Sequence, residues 1–380
     1  MKKLFLYLIF LLTSISFSKL QAQQHIQTIG WNVVAKIPPA PTQTQSMGLA
    51  GAVGGSHQHL LFIAGGTNFP DKMPWEGGKK KYYDDIFIYR KMARGLTLRP
   101  YQAKLPCNLA YAAVCSTPGG IVIAGGENET GLSKKAFIMK WENGSVTFIA
   151  LPDLPEGLAN GALTLMGDIL YLAGGETAGG ASDQFLSLDL KNTPIGWQIS
   201  VKLPKPVSHA VLLTAGTKIW MIGGRKSNAG DTSTIYKNVW MFDVNEQGWK
   251  AKAALPNPIS AACGITAQQE LLVFSGDEGQ TFHQVEKLIA EIGREQEPEK
   301  KAKLNHSKAV IQAAHPGFSH KVLKYDIARD VWSVIPGAMP YGTVTTQAVW
   351  FGNEIIIAGG EVKAGIRTPK ILSGKIKSTK

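Results

Sequence analysis

IVIAGGEN, residues Ile121–Asn128, is an apolar run closed by two glycines and an acid. The same figure returns as FIAGGTNF around Gly65 and Gly66, LAGGET at Gly174 and Gly175, MIGGRK at Gly223 and Gly224, and IAGGEV at Gly359 and Gly360. VFSGDEG is a weaker copy that puts Ser275 and Gly276 at the same point. Successive copies lie 60, 49, 49, 52 and 84 residues apart. A base period near 50 is the kelch spacing, and the longer first and last gaps carry insertions.

A second landmark follows most copies: a Trp, a short strand, then Leu-Pro, as in GWQISVKLP (Gly196–Pro204) and GWKAKAALP (Gly248–Pro256). VWSVIPGAMP (Val331–Pro340) is a looser version. Short apolar strands between Gly, Asn and Asp turns give a four-strand blade per repeat. A glycine pair at the end of an inner strand allows a tight turn near a crowded axis. One sheet cannot bury both faces, so the blades stack around a ring.

The chain's two ends complete each other. IGWNVVAKIPP (Ile29–Pro39) has the Trp-to-Pro landmark without a preceding diglycine, and the last repeat runs out in KILSGKIK without the landmark. The expectation is an all-β, six-bladed kelch-type β-propeller, closed by N- and C-terminal strands that share one blade. It should carry a helical insertion in one blade.

The bulk numbers agree. The chain has 380 residues, 44% hydrophobic and 18% charged, with 41 Gly and nine Trp, which is globular composition. Lys2 and Lys3, the apolar stretch Leu4–Phe17 and the small Ala22 read as a cleaved signal peptide over residues 1–22. Residues 23–380 then form the propeller, exported to the periplasm or secreted, with no membrane span once the signal is removed. Three cysteines do not make a disulfide framework. Cys107 and Cys115 either pair or stay as small buried side chains. No Cys/His spacing suggests a metal site. The formal net charge of +12 favours an anionic ligand or surface. The basic residues do not form an arginine-rich patch with interleaved aromatics, so nucleic acid is not expected as a partner.

Two insertions break the period. Thr67–Tyr89, TNFPDKMPWEGGKKKYYDDIFIY, reads as a long loop at one end of the channel. It offers Asn68, Trp75, Lys80 and Tyr82 for ligand contact, while Asp84 and Asp85 tie the turn into the next strand. The second spans about residues 278–318. Phe282, Val285, Leu288, Ile289 and Ile292 fall on one helical stripe. LNHSKAVIQAAHPG reads as a second short helix, and the pair as a lid or pocket wall. His283, His306 and His315 lie there without ligand spacing and read as surface or packing residues.

Glu follows the diglycine three times, as Glu127, Glu176 and Glu361, so position alone does not single out Glu361. Its continuation does: VKAGIRT brings Arg367, where the parallel segments NETGLSK and TAGGASD have no arginine. Arg225 stands where its siblings have an acid. Two such guanidiniums could hold one carboxylate by paired, charge-assisted hydrogen bonds, with Glu361 a base beside the bound anion.

These segments resemble the sialic acid mutarotases, the N-acetylneuraminate epimerase family, in a cyclically permuted branch. GGTNFPDKMPWEGGKKKYYDDI is similar to that family's GG…F…GKK.Y..DI loop, and GGEVKAGIRT to its GEAKPGLRT segment. The order differs from the better-known members, because here the loop comes first and the Glu–Arg blade last. A closed ring keeps the same spatial arrangement. The resemblance implies a catalytic proton acceptor at Glu361 and a substrate arginine at Arg367. It implies interconversion of the α and β anomers of N-acetylneuraminate, an acidic sugar, with no cofactor or metal. Arg225 matches no family motif. The competing readings are a non-catalytic kelch binding propeller and a mutarotase for another sugar. A sialidase would need SxDxGxxW boxes and a copper radical oxidase channel histidines, and neither set is found in the sequence.

Overall fold

The computed structural model describes residues 25–40, 43–93 and 95–378, so the expected signal peptide lies outside the described residues. Six antiparallel sheets form the body. The innermost strands are Val53–His57, Ala113–Thr117, Ala162–Met166, Val211–Ala215, Cys263–Ala267 and Ala348–Phe351. Each touches the next, and the last touches the first, so the ring is closed.

The sixth sheet runs Ile26–Lys36, Lys370–Ser378, Glu354–Ala358, Ala348–Phe351 from rim to axis. The N-terminal strand is therefore its outermost member, paired antiparallel to the C-terminal strand from Ile26 opposite Ser378 to Lys36 opposite Lys370. This clasp is the completion expected from the two unfinished repeats. It covers an edge that would otherwise be open to pairing with another chain.

The core consists of slabs between neighbouring blades. Phe62 and Ile88 of the first blade meet Ile121 and Met139 of the second. Phe185 of the third blade packs edge-on to Phe242 of the fourth, with ring centroids 5.0 Å apart. The clasp blade joins both neighbours, through Ile29 and Ile355 to Phe274 and through Ile356 and Ile371 to Leu61 and Ile63.

The diglycine ends an inner strand, the second out from the axis. Its backbone turns left-handed at both residues and its second N–H bonds the next blade, as Gly175 N–H does to the Val207 carbonyl at 2.9 Å. A Cβ on Gly174 would sit 2.0 Å from that same carbonyl oxygen. Close backbone approach between blades is thus what demands glycine here. Ser275 takes the position at φ +60° in the fifth blade, and its hydroxyl accepts a bond from Thr343 N–H at 2.8 Å, which links it to the sixth.

Beyond the glycines, five blades carry a two-stranded hairpin; in the fifth, the helical insertion takes its place. The first insertion is one of these hairpins enlarged, with Thr67–Asn68 paired to Lys81–Tyr82 and a turn of 3-10 helix at Pro74–Glu76. It is not the strandless loop expected. Lys104 bonds Asp84 at 2.7 Å and Asp85 at 2.8 Å, which ties the hairpin base to the blade. The helices are α1 (Gln280–Arg294) and α2 (Pro298–Ala313). α2 starts six residues before LNHSK because Pro298 sits in its first turn, where its missing N–H costs nothing. Cys107 and Cys115 are both free thiols, Cys107 exposed and Cys115 partly buried, so neither a bridge nor burial of both is found.

Candidate functional site

One residue from each blade meets its neighbours at the axis: Gly51, Tyr111, Asn160, His209, Ala261 and Thr345. The N–H of each donates to the carbonyl of the preceding member at 2.8 to 3.1 Å, and Gly51 closes the circle onto Thr345. All six are left-handed, with φ between 53° and 63°. That conformation is strained for Tyr, Ala and above all β-branched Thr, and such strain concentrates at functional sites. The ring divides the axis into two spaces. On one side is a channel of about 500 Å³ whose walls include Gly54, Val114, Leu213, Gly264 and Val349. On the side of the hairpins and helices is a cavity of about 440 Å³. The channel is the larger, but its walls are largely the inner strands themselves and carry no charged side chain. Charged side chains, with the unpartnered nitrogens of Arg225 and Arg367, face the second cavity, which makes it the candidate site.

Its walls carry three carboxylate–cation pairs, and the repeat explains their placing. The residue after each diglycine bridges the residue just before the ring member, for example Val344 to Glu361 and Ser208 to Arg225. Glu127, Glu176, Arg225, Asp277 and Glu361 therefore stand in one circle above the ring. Glu361 faces Arg367 directly across its own hairpin, with Oε2 3.5 Å from Nη2. Its Oε1 accepts the Gly365 N–H at 2.7 Å. Glu176 is 3.5 Å from the Nη2 of Arg225 on the next blade. Glu127 Oε1 is 3.0 Å from Lys80 Nζ and accepts the Tyr82 hydroxyl at 2.7 Å.

Both guanidiniums are only partly satisfied. Arg367 is buried, its guanidinium 4.6 Å from the Phe69 ring, and its Nε and Nη1 have no protein partner. Arg225 lies 4.7 Å from the ring of Phe282 on α1, with Nε unpartnered. Buried donors left open cost stability unless something else accepts from them, and a ligand with acceptor oxygens does so.

His209 completes the floor. Its Nδ1 is 2.9 Å from the Ser208 hydroxyl, which in turn bonds Glu176 at 3.2 Å, and its Nε2 is 3.4 Å from Arg225 Nη2. Burial, with Arg225 and Lys80 nearby, holds its imidazole well below the usual range, so the ring is neutral at pH 7. Over the top, Phe282, Val285 and Ile289 of α1, with Phe318 and the buried His315, form a mostly apolar roof. Ser233 anchors α1 by donating its hydroxyl and N–H to Glu286 at 2.5 and 2.9 Å.

Of the residues singled out in the sequence, Glu361, Arg367, Arg225 and Lys80 line this cavity. Tyr82 stands one contact behind it, through Glu127. Trp75 packs against the Gly365 turn, while its neighbour Pro74 reaches the cavity. Asn68 does not line it: its amide donates to the Gly48 carbonyl at 3.0 Å and accepts from Tyr83 at 2.8 Å, both inside the fold. Each arginine is drawn to its own glutamate, Arg225 to Glu176 and Arg367 to Glu361. Tyr111, Asn160 and His209 were missed. Their signal is a second repeat, LAGA, LAYA, LANG, VSHA, ISAA and TVTT, placed between the Pro landmark and the next inner strand.

A six-bladed β-propeller with a charged, lidded cavity at one mouth is the class that fold and site define. The family model for N-acetylneuraminate epimerase matches residues 151–380, which hold both Glu361 and Arg367. The chain belongs to the N-acetylneuraminate epimerase family. The N-acetylneuraminate epimerase of Brucella suis is 30% identical over 122 residues, and that of Vibrio vulnificus 31% over 129. These alignments cover about 30% of the chain and a similar share of each relative. The solved structure of YjhT aligns over 92% of this chain and 100% of its own, with a TM-score of 0.62 at 13% identity, a likeness of fold.

Proposed function

We propose that the protein is an isomerase that interconverts the α and β anomers of N-acetylneuraminate, with Glu361 as general base. The observation that carries this reading is the Glu361–Arg367 pair, which puts a carboxylate and an incompletely satisfied guanidinium on one hairpin at the cavity wall. Family membership and the names of the relatives support the choice of sugar.

The sugar's carboxylate, ionised at neutral pH, accepts from a donor that Arg367 leaves open, Nε or Nη1. This holds the adjacent anomeric centre near Glu361. The carboxylate removes the anomeric hydroxyl proton, the bond from anomeric carbon to ring oxygen breaks, and an open-chain ketone forms. Rotation about the bond between the keto carbon and the next chain carbon, a ring bond in the closed sugar, presents the other face. Closure takes place as Glu361 returns the proton to the new anomeric oxygen. The mostly apolar roof limits water around the open-chain form. We infer from the expected leader that this chemistry takes place outside the cytoplasm.

The test is proton NMR of freshly released α-N-acetylneuraminate. Catalytic amounts of protein should bring forward its decay to the β anomer, and an unchanged decay would contradict the reading.

A further inference from the structure

Ring opening moves two protons, and Glu361 accounts for one. The ring oxygen must gain a proton as its bond to the anomeric carbon breaks, and must lose it again on closure. The cavity wall narrows the source. His209 has both nitrogens engaged, toward Ser208 and Arg225. Lys80 is bound to Glu127. Asn160 donates to Glu176 at 3.3 Å. Tyr111 remains.

Its placement follows from the ring. Tyr111 is the second-blade member, and its side chain lies over Gly51 of the first, where an added Cβ would come 2.5 Å from the phenol ring. The absence of a side chain at Gly51 thus lets the phenol cross the first blade toward the sixth. Lys80 Nζ sits 5.0 Å from the centre of its ring. Arg367 and Glu361 are its charged neighbours on the far side, and all of these groups line the one cavity.

We propose that Tyr111 is the second catalytic residue, donating its hydroxyl proton to the sugar's ring oxygen as Glu361 takes the anomeric one. The proposal rests on the mutarotase reading and extends it. In the opening step Glu361 becomes the acid, the ring oxygen becomes a hydroxyl and Tyr111 a phenolate beside Lys80 and Arg367. On closure the phenolate takes that proton back as the oxygen attacks the ketone, and Glu361 protonates the new anomeric oxygen. No proton is left over, and no oxidant or second substrate is consumed. Burial raises the Tyr111 phenol above its ordinary range despite the two cations, so it is protonated and able to donate at pH 7.

The experiment is anomer exchange by NMR over a range of N-acetylneuraminate concentrations for the wild type, Tyr111→Phe and Glu361→Gln, with melting curves for each. Phe keeps the ring over Gly51 and removes only the hydroxyl. The expected result is a kcat lower by about 100-fold or more with KM within about threefold and an unchanged melt. A kcat that stays at the wild-type value overturns the proposal, as does a loss that appears only in KM, which would make Tyr111 a support for Arg367. A Glu361→Gln variant with full activity beside an inactive Tyr111→Phe would move the base and leave Tyr111 in place. A wild type without acceleration removes both readings.

Discussion

Glu361 and Arg367 are direct partners across one hairpin, with carboxylate and guanidinium 3.5 Å apart at the mouth of the propeller. Short-range pairing fixes this geometry, so it does not depend on how the blades settle against one another. Arg367 keeps two buried donors free for a ligand.

Arg367→Lys should weaken binding of the sugar acid by about 30- to 100-fold, because an ammonium cannot reproduce the planar fork. Titration calorimetry against N-acetylneuraminate measures this. Affinity equal to the wild type would show that the carboxylate binds elsewhere.

The propeller's closure makes a sharp prediction at two glycines of similar conformation. Gly174 has φ +59° and would place a Cβ 2.0 Å from the Val207 carbonyl, whereas Gly167 has φ +61° and nothing within 4 Å. Gly167→Ala should cost about 1–2 kcal/mol, the conformational penalty alone. Gly174→Ala should cost clearly more in urea denaturation. Equal losses would mean that close approach of the blades is not what selects glycine at the repeat.

His209 gives stability a pH signature. Its folded pKa is depressed, so between that value and the unfolded one, about 6.5, the unfolded chain binds more protons. Stability is therefore complete above about pH 6.5 and falls as the solution is acidified through the window below it. Arg225, Lys80, Glu176 and Ser208 face the ring, and burial is the largest cause. His209→Asn should flatten this acid limb in thermal melts between pH 7 and 5. His57 and His315 are also depressed and remain in the variant, so the difference between the two curves is the quantity to read.

α1 hangs over the cavity on the Ser233–Glu286 bonds. Glu286→Ala should speed hydrogen exchange in Gln280–Arg294 while leaving the blade strands protected. Unchanged exchange in α1 would show that roof packing alone holds the helix.

The fold was legible because each blade repeats the same chemistry. Five diglycines, the Ser275 variant and two half-repeats at the ends were enough to give six blades and their clasp. Glu361 and Arg367 were legible because they are close in sequence and face each other within one turn. The Lys80–Glu127 and Arg225–Glu176 pairs were not, since each joins different blades and depends on how those blades are angled. Asn68 was misplaced for a related reason. It sits in a candidate loop, but the first hairpin turns its amide inward to Gly48 and Tyr83. Tyr111 and His209 escaped because their sequence repeat is loose, with a different side chain at each ring position, whereas the shared left-handed φ in residues as different as Tyr, His and Thr marks it plainly.

The account rests on Glu361 acting as a base toward a sugar held by Arg367. Anomer exchange of N-acetylneuraminate, followed by NMR at saturating sugar with Glu361→Gln, tests this most directly. Gln keeps the size and the acceptor for Gly365 N–H but cannot take a proton. Exchange should fall by about 100-fold or more while the variant still binds the sugar. Exchange at the wild-type rate would contradict the assignment of the base.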